Sequence, residues 1–182
     1  MSTYYLIASL PALDMETAPV LTPDAFAQVC RDQLDPSDAE AAVALLENRD
    51  ADHPFVRDWR DRDTLLRNAV VRQRATRSDA DPARYQRPAA GCDLRIEHDV
   101  EAAFQAPDPL QRERLLDRIR WRVADELQGT DPLTERVVLA YAIKLRLACR
   151  WAALTPDAGH AAAAAMIDTP INLNEHARTP QA

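Results

Sequence analysis

The most hydrophobic stretch of the chain is residues 137–154, where apolar side chains run around almost the whole circumference of a helical wheel. Only Lys144, Arg146 and Arg150 interrupt them. A helix that is apolar on nearly every face has to be surrounded by other elements. Three cations would be costly in lipid over a segment this short, which excludes a membrane span. The pattern therefore predicts that residues 131–155 contain the central helix of a bundle.

Most of the predicted helices begin with the same dipeptide motif, a residue with a side-chain hydrogen-bond acceptor followed by proline. The acceptor suits the N-cap, and proline suits the first helical position because its missing N–H has no partner there anyway. The dipeptides are Thr22-Pro23, Asp35-Pro36, Asp108-Pro109, Asp131-Pro132 and Thr155-Pro156. With the helical periodicity of the apolar positions, they predict helices at 23–34, 36–48, 54–75, 93–106, 109–128, 132–154 and about 156–167.

The N-terminal residues 3–13 do not follow this pattern. Residues 4–7, Tyr-Tyr-Leu-Ile, favour an extended strand, and Pro11 limits any helix that begins here. This is the one run in the chain that resembles a strand, and a lone strand cannot form a sheet. We expect either an extended segment packed against the bundle or a short helical turn.

Two helices near the C-terminus are expected to pair. Gly129 lies where a C-cap glycine belongs, and the connection that follows it is very short. Helices 109–128 and 132–154 are therefore expected to form a long central antiparallel hairpin. The predicted fold class is all-α, a helical bundle of about six to seven helices.

The expected organisation is a single helical domain over residues 1–168. Residues 76–92 are rich in proline and poor in apolar side chains, which is typical of a connector. Two lobes, 1–75 and 93–168, joined by this connector are the alternative. Residues 169–182 are predicted to be a flexible tail.

Charge and cysteine content narrow the function classes. The net charge of −7 and the pI near 5.1 argue against a general nucleic-acid binder. The three cysteines are isolated along the chain, which fits a reduced, cytoplasmic compartment. The N-terminus has no basic region followed by an apolar run, so no signal peptide is predicted.

Candidate metal ligands are few. The four histidines share no helical face with one another: His53, His98, His160 and His176. The nearest approach to a metal cluster is residues 97–101, Glu-His-Asp-Val-Glu. On a helix Glu97 and Glu101 share a face while His98 points away, so no metal site is predicted.

No catalytic motif stands out. Three glycines cannot supply a glycine-rich phosphate loop, and no serine or cysteine lies in a nucleophile motif. The carboxylates of Glu113 and Asp117 are expected on a solvent face, in ion pairs with nearby arginines. The residues thus favour a non-catalytic binding or scaffold module without a cofactor.

Arginines repeat every seven residues on one face of the predicted helix 54–75, at Arg60, Arg67 and Arg74, with Asp63 between the first two. Such a row favours a solvated face with local ion pairs. Docking on an acidic partner is the alternative.

Several blocks of the sequence resemble a family of short bacterial proteins that are encoded alongside V-type (A/V-type) ATPase subunits. The blocks are the N-terminal Tyr4–Pro11 (YYLIASLP), Leu66–Ala69 (LRNA) through Arg74-Ala75, Asp108–Leu110 (DPL) through Leu116–Trp121 (LDRIRW) to Asp125–Leu127 (DEL), and Ala140-Tyr141 through Lys144-Leu145 and Arg150-Trp151. They occur in the family's order over nearly the whole chain.

The resemblance implies a non-catalytic component similar to the C/d-type cap of the rotary ATPase, which joins the central stalk to the membrane ring and serves ion transport. The implied partners are the V-type ATPase subunits of the stalk and ring, so the chain would be cytoplasmic and reach the inner face of the cell membrane only through protein partners. The implied contact residues are Arg60, Arg67 and Arg74, with Tyr4, Tyr5 and Pro11 in the N-terminal block.

Two other interpretations stay open at this point. The chain is distinctly shorter than a full C/d-type cap, which favours a transient assembly or regulatory factor of the same ATPase as the alternative. The other interpretation is an unrelated helical domain, which either binds a small molecule or is an enzyme that uses the Glu97–Glu101 cluster.

Overall fold

The computed structural model describes residues 3–78 and 80–168, and within these ranges every regular element is a helix. The eight α-helices are α1 (Thr3–Ser9), α2 (Pro23–Gln33), α3 (Pro36–Glu47), α4 (Pro54–Ala75), α5 (Leu94–Ala103), α6 (Pro109–Gln128), α7 (Glu135–Ala153) and α8 (Pro156–Asp168). A single 3-10 turn, Pro82–Arg84, interrupts the connector between α4 and α5. The all-α prediction is confirmed, with α1 as a helix beyond the predicted number. None of the described helices could cross a membrane. The predicted tail, 169–182, lies outside the described residues.

The segment predicted as a strand or a short turn forms the helix α1. Leu6 is fully buried against α2 and α7, while Tyr4 and Tyr5 are 53% and 71% exposed. A helix pairs its backbone groups within itself, whereas a lone strand would leave them unpaired. The strand propensity of this segment therefore does not decide its structure, and the helical alternative holds. Pro11 follows the helix and is partly buried.

The acceptor–proline dipeptides mark helix starts with one exception. Thr22, Asp108 and Thr155 each accept a hydrogen bond from a backbone N–H in the first turn of their helix, and Asp35 occupies the cap position without such a bond. Asp131 does not cap α7. Its carboxylate accepts from the Leu133 N–H at 3.0 Å and forms a turn, so α7 begins only at Glu135.

An unpredicted cap starts α4. Nδ1 of His53 accepts a hydrogen bond from the Phe55 N–H at 3.2 Å, while its Nε2 lies 3.1 Å from Oδ1 of Asp38. Because Nδ1 accepts, Nε2 carries the proton and donates to the carboxylate. This imidazole joins the start of α4 to the first turn of α3.

The central hairpin is present. Contacts between α6 and α7 run in opposite directions along the two helices: the Arg136 side chain donates to the Leu127 carbonyl at one end, and Arg150 contacts Glu113 at the other. Near the middle, Lys144 pairs with Asp125. The two helices are therefore antiparallel, as the short connection predicted.

The hydrophobic core includes buried side chains from every helix from α1 to α7. Helix α7 supplies the largest share, and α1, α3 and α6 pack around it. On α5, Ile96 and Val100 are fully buried, whereas Leu94 at the start of the helix is 78% exposed. The described side chains of α8 are all exposed.

Tyr141 provides a test of this packing. Its ring is buried and stacks on Phe26 with the centroids 5.3 Å apart, but its hydroxyl has no hydrogen-bond partner among the described residues. Burial raises the pKa of this hydroxyl to about 12. Tyr141→Phe keeps the stacked ring and removes a desolvated polar group, so we expect the free energy of unfolding to rise by about 1 kcal/mol.

Urea unfolding of the purified protein measures this change. The matched control is Tyr85→Phe, because Tyr85 is 63% exposed and its hydroxyl is replaced at a solvated position. Its effect should stay within about 0.5 kcal/mol. A loss of stability in Tyr141→Phe would mean that the hydroxyl has a partner.

Candidate functional site

A charged cleft of about 340 Å³ opens where the C-terminal end of α3 meets α4, α6 and α7. Its lining residues are Asn48 after α3, Asp63 and Arg67 on α4, Glu113, Asp117 and Arg120 on α6, and Arg146, Leu147 and Arg150 on α7. We call it the arginine cleft. Its four arginines and three carboxylates give these walls a net charge of +1, within a chain whose net charge is −7.

Asp117 lies at the bottom of this arrangement and is completely buried. One carboxylate oxygen accepts from Nη1 of Arg120 at 2.8 Å. The other accepts from Nε1 of Trp151 at 3.0 Å and from Arg150. The expected ion pairing is present, but the expected solvent face is wrong for Asp117, because α7 covers this side of α6.

Asp63 on α4 is the second buried carboxylate. It accepts from Nε of Arg67 at 2.6 Å and from Nε of Arg120 at 3.1 Å. Burial alone would raise its pKa, but Arg120 and Arg67 outweigh burial and hold the pKa below its usual value of 3.8. Arg120 thus bridges the carboxylates of α4 and α6.

The same balance applies to Arg120. Burial would lower the pKa of its guanidinium, and the two carboxylates, Asp63 and Asp117, outweigh burial and raise it. Asp63 and Arg120 therefore stay charged at neutral pH. The removal of either of them would leave a buried charge without its partner.

Arg146 reaches the cleft from α7 and closes the end of α3. Its Nη1 donates to the Leu45 carbonyl at 2.9 Å and to Oδ1 of Asn48 at 2.8 Å. Asn48 ends α3 in the left-handed conformation, with φ of 60°. A cation near the carbonyl groups at a helix C-terminus is favourable. Burial lowers the pKa of Arg146 to about 10.

The predicted arginine row does not act as one surface. Nε of Arg60 lies 2.8 Å from Oδ1 of Asp50, and Arg67 is bound to Asp63. Arg74 is exposed, and no carboxylate in the described ranges lies within ion-pairing distance of it. The structure thus places Arg67 in the cleft, gives Arg60 a local acid, and leaves Arg74 outside the cleft.

The other predicted contact residues lie on α1 and just after it. The rings of Tyr4 and Tyr5 pack edge to face with centroids 5.9 Å apart. Neither tyrosine lines the arginine cleft, nor does Pro11. The structure therefore does not bring the six predicted contact residues together into one site.

Two acidic side chains of the predicted cluster on α5 form ion pairs with arginines of neighbouring helices. Glu97 pairs with Arg72 of α4, and Oδ2 of Asp99 accepts from Arg122 of α6 at 2.8 Å. Among residues 3–78 and 80–168 no group of three or more histidine, cysteine or carboxylate side chains is arranged to hold a metal ion.

Sequence reasoning missed the cleft, although the chain carries a usable signal for it. In an antiparallel hairpin, residues at equal distances from the turn face each other. By this rule Glu113 lies opposite Arg150 and Asp117 lies opposite Arg146. In the structure Arg150 contacts both acids, and Arg146 contacts the end of α3 instead. Two acids one turn apart on one arm, matched by two arginines one turn apart on the other, indicate a charged seam.

Comparison with known proteins finds no family model, no curated protein and no solved structure that matches this chain. The fold and the charged cleft therefore define its class: a helical bundle whose central hairpin is joined to α4 by buried ion pairs.

Proposed function

We propose that this chain is a non-catalytic, C/d-like component of a bacterial V-type rotary ATPase, where it couples the central stalk to the membrane rotor ring during ion transport. One observation carries the proposal. Three of the four blocks that resemble the ATPase-associated family supply a single network: Arg67 from the second, Asp117 and Arg120 from the third, and Arg150 with Trp151 from the fourth. Convergence of separate blocks on one cluster supports a shared structural unit.

The network suits a part that transmits force. Asp63, Arg120 and Asp117 join α4 to α6, and Asp117 joins α6 to Arg150 and Trp151 of α7. Sliding one helix past another would separate buried charges, which costs several kcal/mol for each broken pair. The chain would act by mechanical coupling, with no bond made or broken.

Two exposed features are available for contacts with the stalk and the ring. The first is the Tyr4–Tyr5 edge of α1, and the second is Arg74 on α4. Arg60 and Arg67 already pair with Asp50 and Asp63, so their substitution would break a local ion pair together with any contact. Tests of docking should therefore avoid those two arginines.

We predict that the tagged chain, expressed in cells that contain a V-type ATPase, recovers the assembled ATPase at about one copy per complex. The double variant Tyr5→Ala, Arg74→Glu should reduce that recovery about tenfold, because it removes an exposed aromatic contact and reverses an exposed charge. Quantitative mass spectrometry of the purified complex measures the copy number of the chain and the recovery of the ATPase with each variant.

The matched control is Leu133→Ala, Arg31→Glu, which removes an exposed apolar side chain and reverses an exposed charge outside the pocket that Arg74 lines. It should leave recovery unchanged. A fully coupled ATPase isolated from cells that lack this chain would overturn the proposed stalk role. Binding to assembly intermediates with release from the finished complex would indicate the assembly factor instead.

A further inference from the structure

The arginine cleft contains more hydrogen-bond donors than its own acceptors use. Asp117 receives three donors and Asp63 receives two. Even so, Arg67 donates only through Nε, so both of its terminal nitrogens lack an acceptor among the described residues, and Nη2 of Arg120 likewise donates to no described group. A guanidinium group stays protonated at neutral pH, so these N–H groups still require hydrogen-bond acceptors.

Arg146 has unused hydrogen-bond donors as well. Both of its protein hydrogen bonds come from Nη1, so Nε and Nη2 donate to no described group. No carboxylate in the described part of the chain lies within ion-pairing distance of it, and its acceptors, a carbonyl and an amide oxygen, are neutral. A partly buried cation with neutral acceptors is stabilised when an anion approaches.

We propose that the arginine cleft binds one oxyanion, a carboxylate or a phosphate group, held by the guanidinium groups of Arg146 and Arg67. Both groups present planar pairs of N–H donors, the geometry that recognises two oxygens of a carboxylate or a phosphate. One negative charge balances the net charge of the lining residues. This inference rests on the cleft alone and does not depend on the role in an ATPase.

The space and the surroundings fit a small anion. A volume of about 340 Å³ is at the small end of ligand sites and admits a phosphate ion or the end of an acidic side chain. Asn48 adds a neutral amide to the lining. The carboxylates of Asp63 and Asp117 do not oppose the anion, because arginines from two helices neutralise each of them.

Calorimetric titration of the purified full chain tests the proposal, with inorganic phosphate and glutarate as probes and sodium chloride at equal ionic strength as the reference. We expect saturable binding of at least one oxyanion and none of chloride. Arg146→Gln should raise Kd about tenfold or more, because it removes charge-assisted hydrogen bonds. Arg67→Gln should act in the same direction.

Arg31→Gln is the matched control, since Arg31 is exposed on α2 and does not line the cleft. It should leave Kd unchanged. Circular dichroism verifies that each variant is folded. If Arg146→Gln is unfolded, the Kd measured for Arg67→Gln tests the proposal. Heats equal to those of chloride for every probe, or equal Kd values in the Arg31 variant and both cleft variants, would overturn the proposal.

A third probe distinguishes the two sources of the oxyanion. A short neutral peptide with one central glutamate presents the same carboxylate as a protein side chain. Binding of this peptide at least about tenfold more tightly than glutarate supports the acidic side chain of another protein as the ligand. Tighter binding of phosphate or glutarate supports a free ion. Failure of the ATPase to co-purify would affect neither result.

Discussion

Asp117→Asn is expected to lower the free energy of unfolding by about 3–5 kcal/mol, because it breaks a buried ion pair on one side only. The Asp117 carboxylate is completely buried and accepts from Arg120, Arg150 and Trp151. An amide of the same shape carries no charge and offers one acceptor oxygen in place of two. Arg120 would then keep its buried charge with Asp63 as its only carboxylate among the described residues.

Urea unfolding of the purified protein at neutral pH measures the effect. Glu113→Gln is the matched control, since it makes the same change one turn away at a side chain that is 39% exposed and pairs with Arg150. We expect it to cost no more than about 1 kcal/mol. Equal effects of the two substitutions would show that the Asp117 network adds nothing beyond a surface ion pair.

The helices are predictable because their signals are local. A cap, a proline and an apolar period lie within a few residues of each other, so the bounds of α2, α3 and α6 follow from the sequence closely. The start of α7 is missed because Asp131 bonds to Leu133 in a turn that competes with the helix. The structure of α1 depends on burial of Leu6 by distant helices, which no local pattern contains.

The cleft is harder to predict because its partners come from different helices. A helical wheel places Asp117 at the border of the apolar stripe of α6, and such a position faces solvent or a neighbour depending on what packs there. Arg120 is satisfied by Asp63, which lies 57 residues earlier in the chain. The seven-residue repeat of arginines on α4 indicates a face with local ion pairs, and Arg60 and Arg67 do form them, but Asp50, the partner of Arg60, lies in the loop before α4.

A helical wheel predicts where the arginines of α7 lie on the helix but not what they contact. The pattern correctly marks Arg146 and Arg150 as one edge of an otherwise buried helix, one turn apart. Whether that edge meets solvent, an acid or a partner depends on α3 and α6. In the structure Arg150 meets two acids and Arg146 meets the end of α3, so this edge forms a wall of the cleft.

Leu139→Ala should lower the free energy of unfolding by about 4 kcal/mol, because it opens a cavity in a helix with neighbours on several sides. Leu139 is fully buried on α7, around which α1, α3 and α6 pack, so the site has little freedom to collapse. Leu133→Ala removes the same atoms from a side chain that is 56% exposed just before α7, and should change stability by no more than about 0.5 kcal/mol. Thermal and urea unfolding of the two variants measure the difference. A cost below about 1 kcal/mol for Leu139→Ala would contradict the position of α7 at the centre of the bundle, and with it the packed hairpin that the proposed coupling role requires.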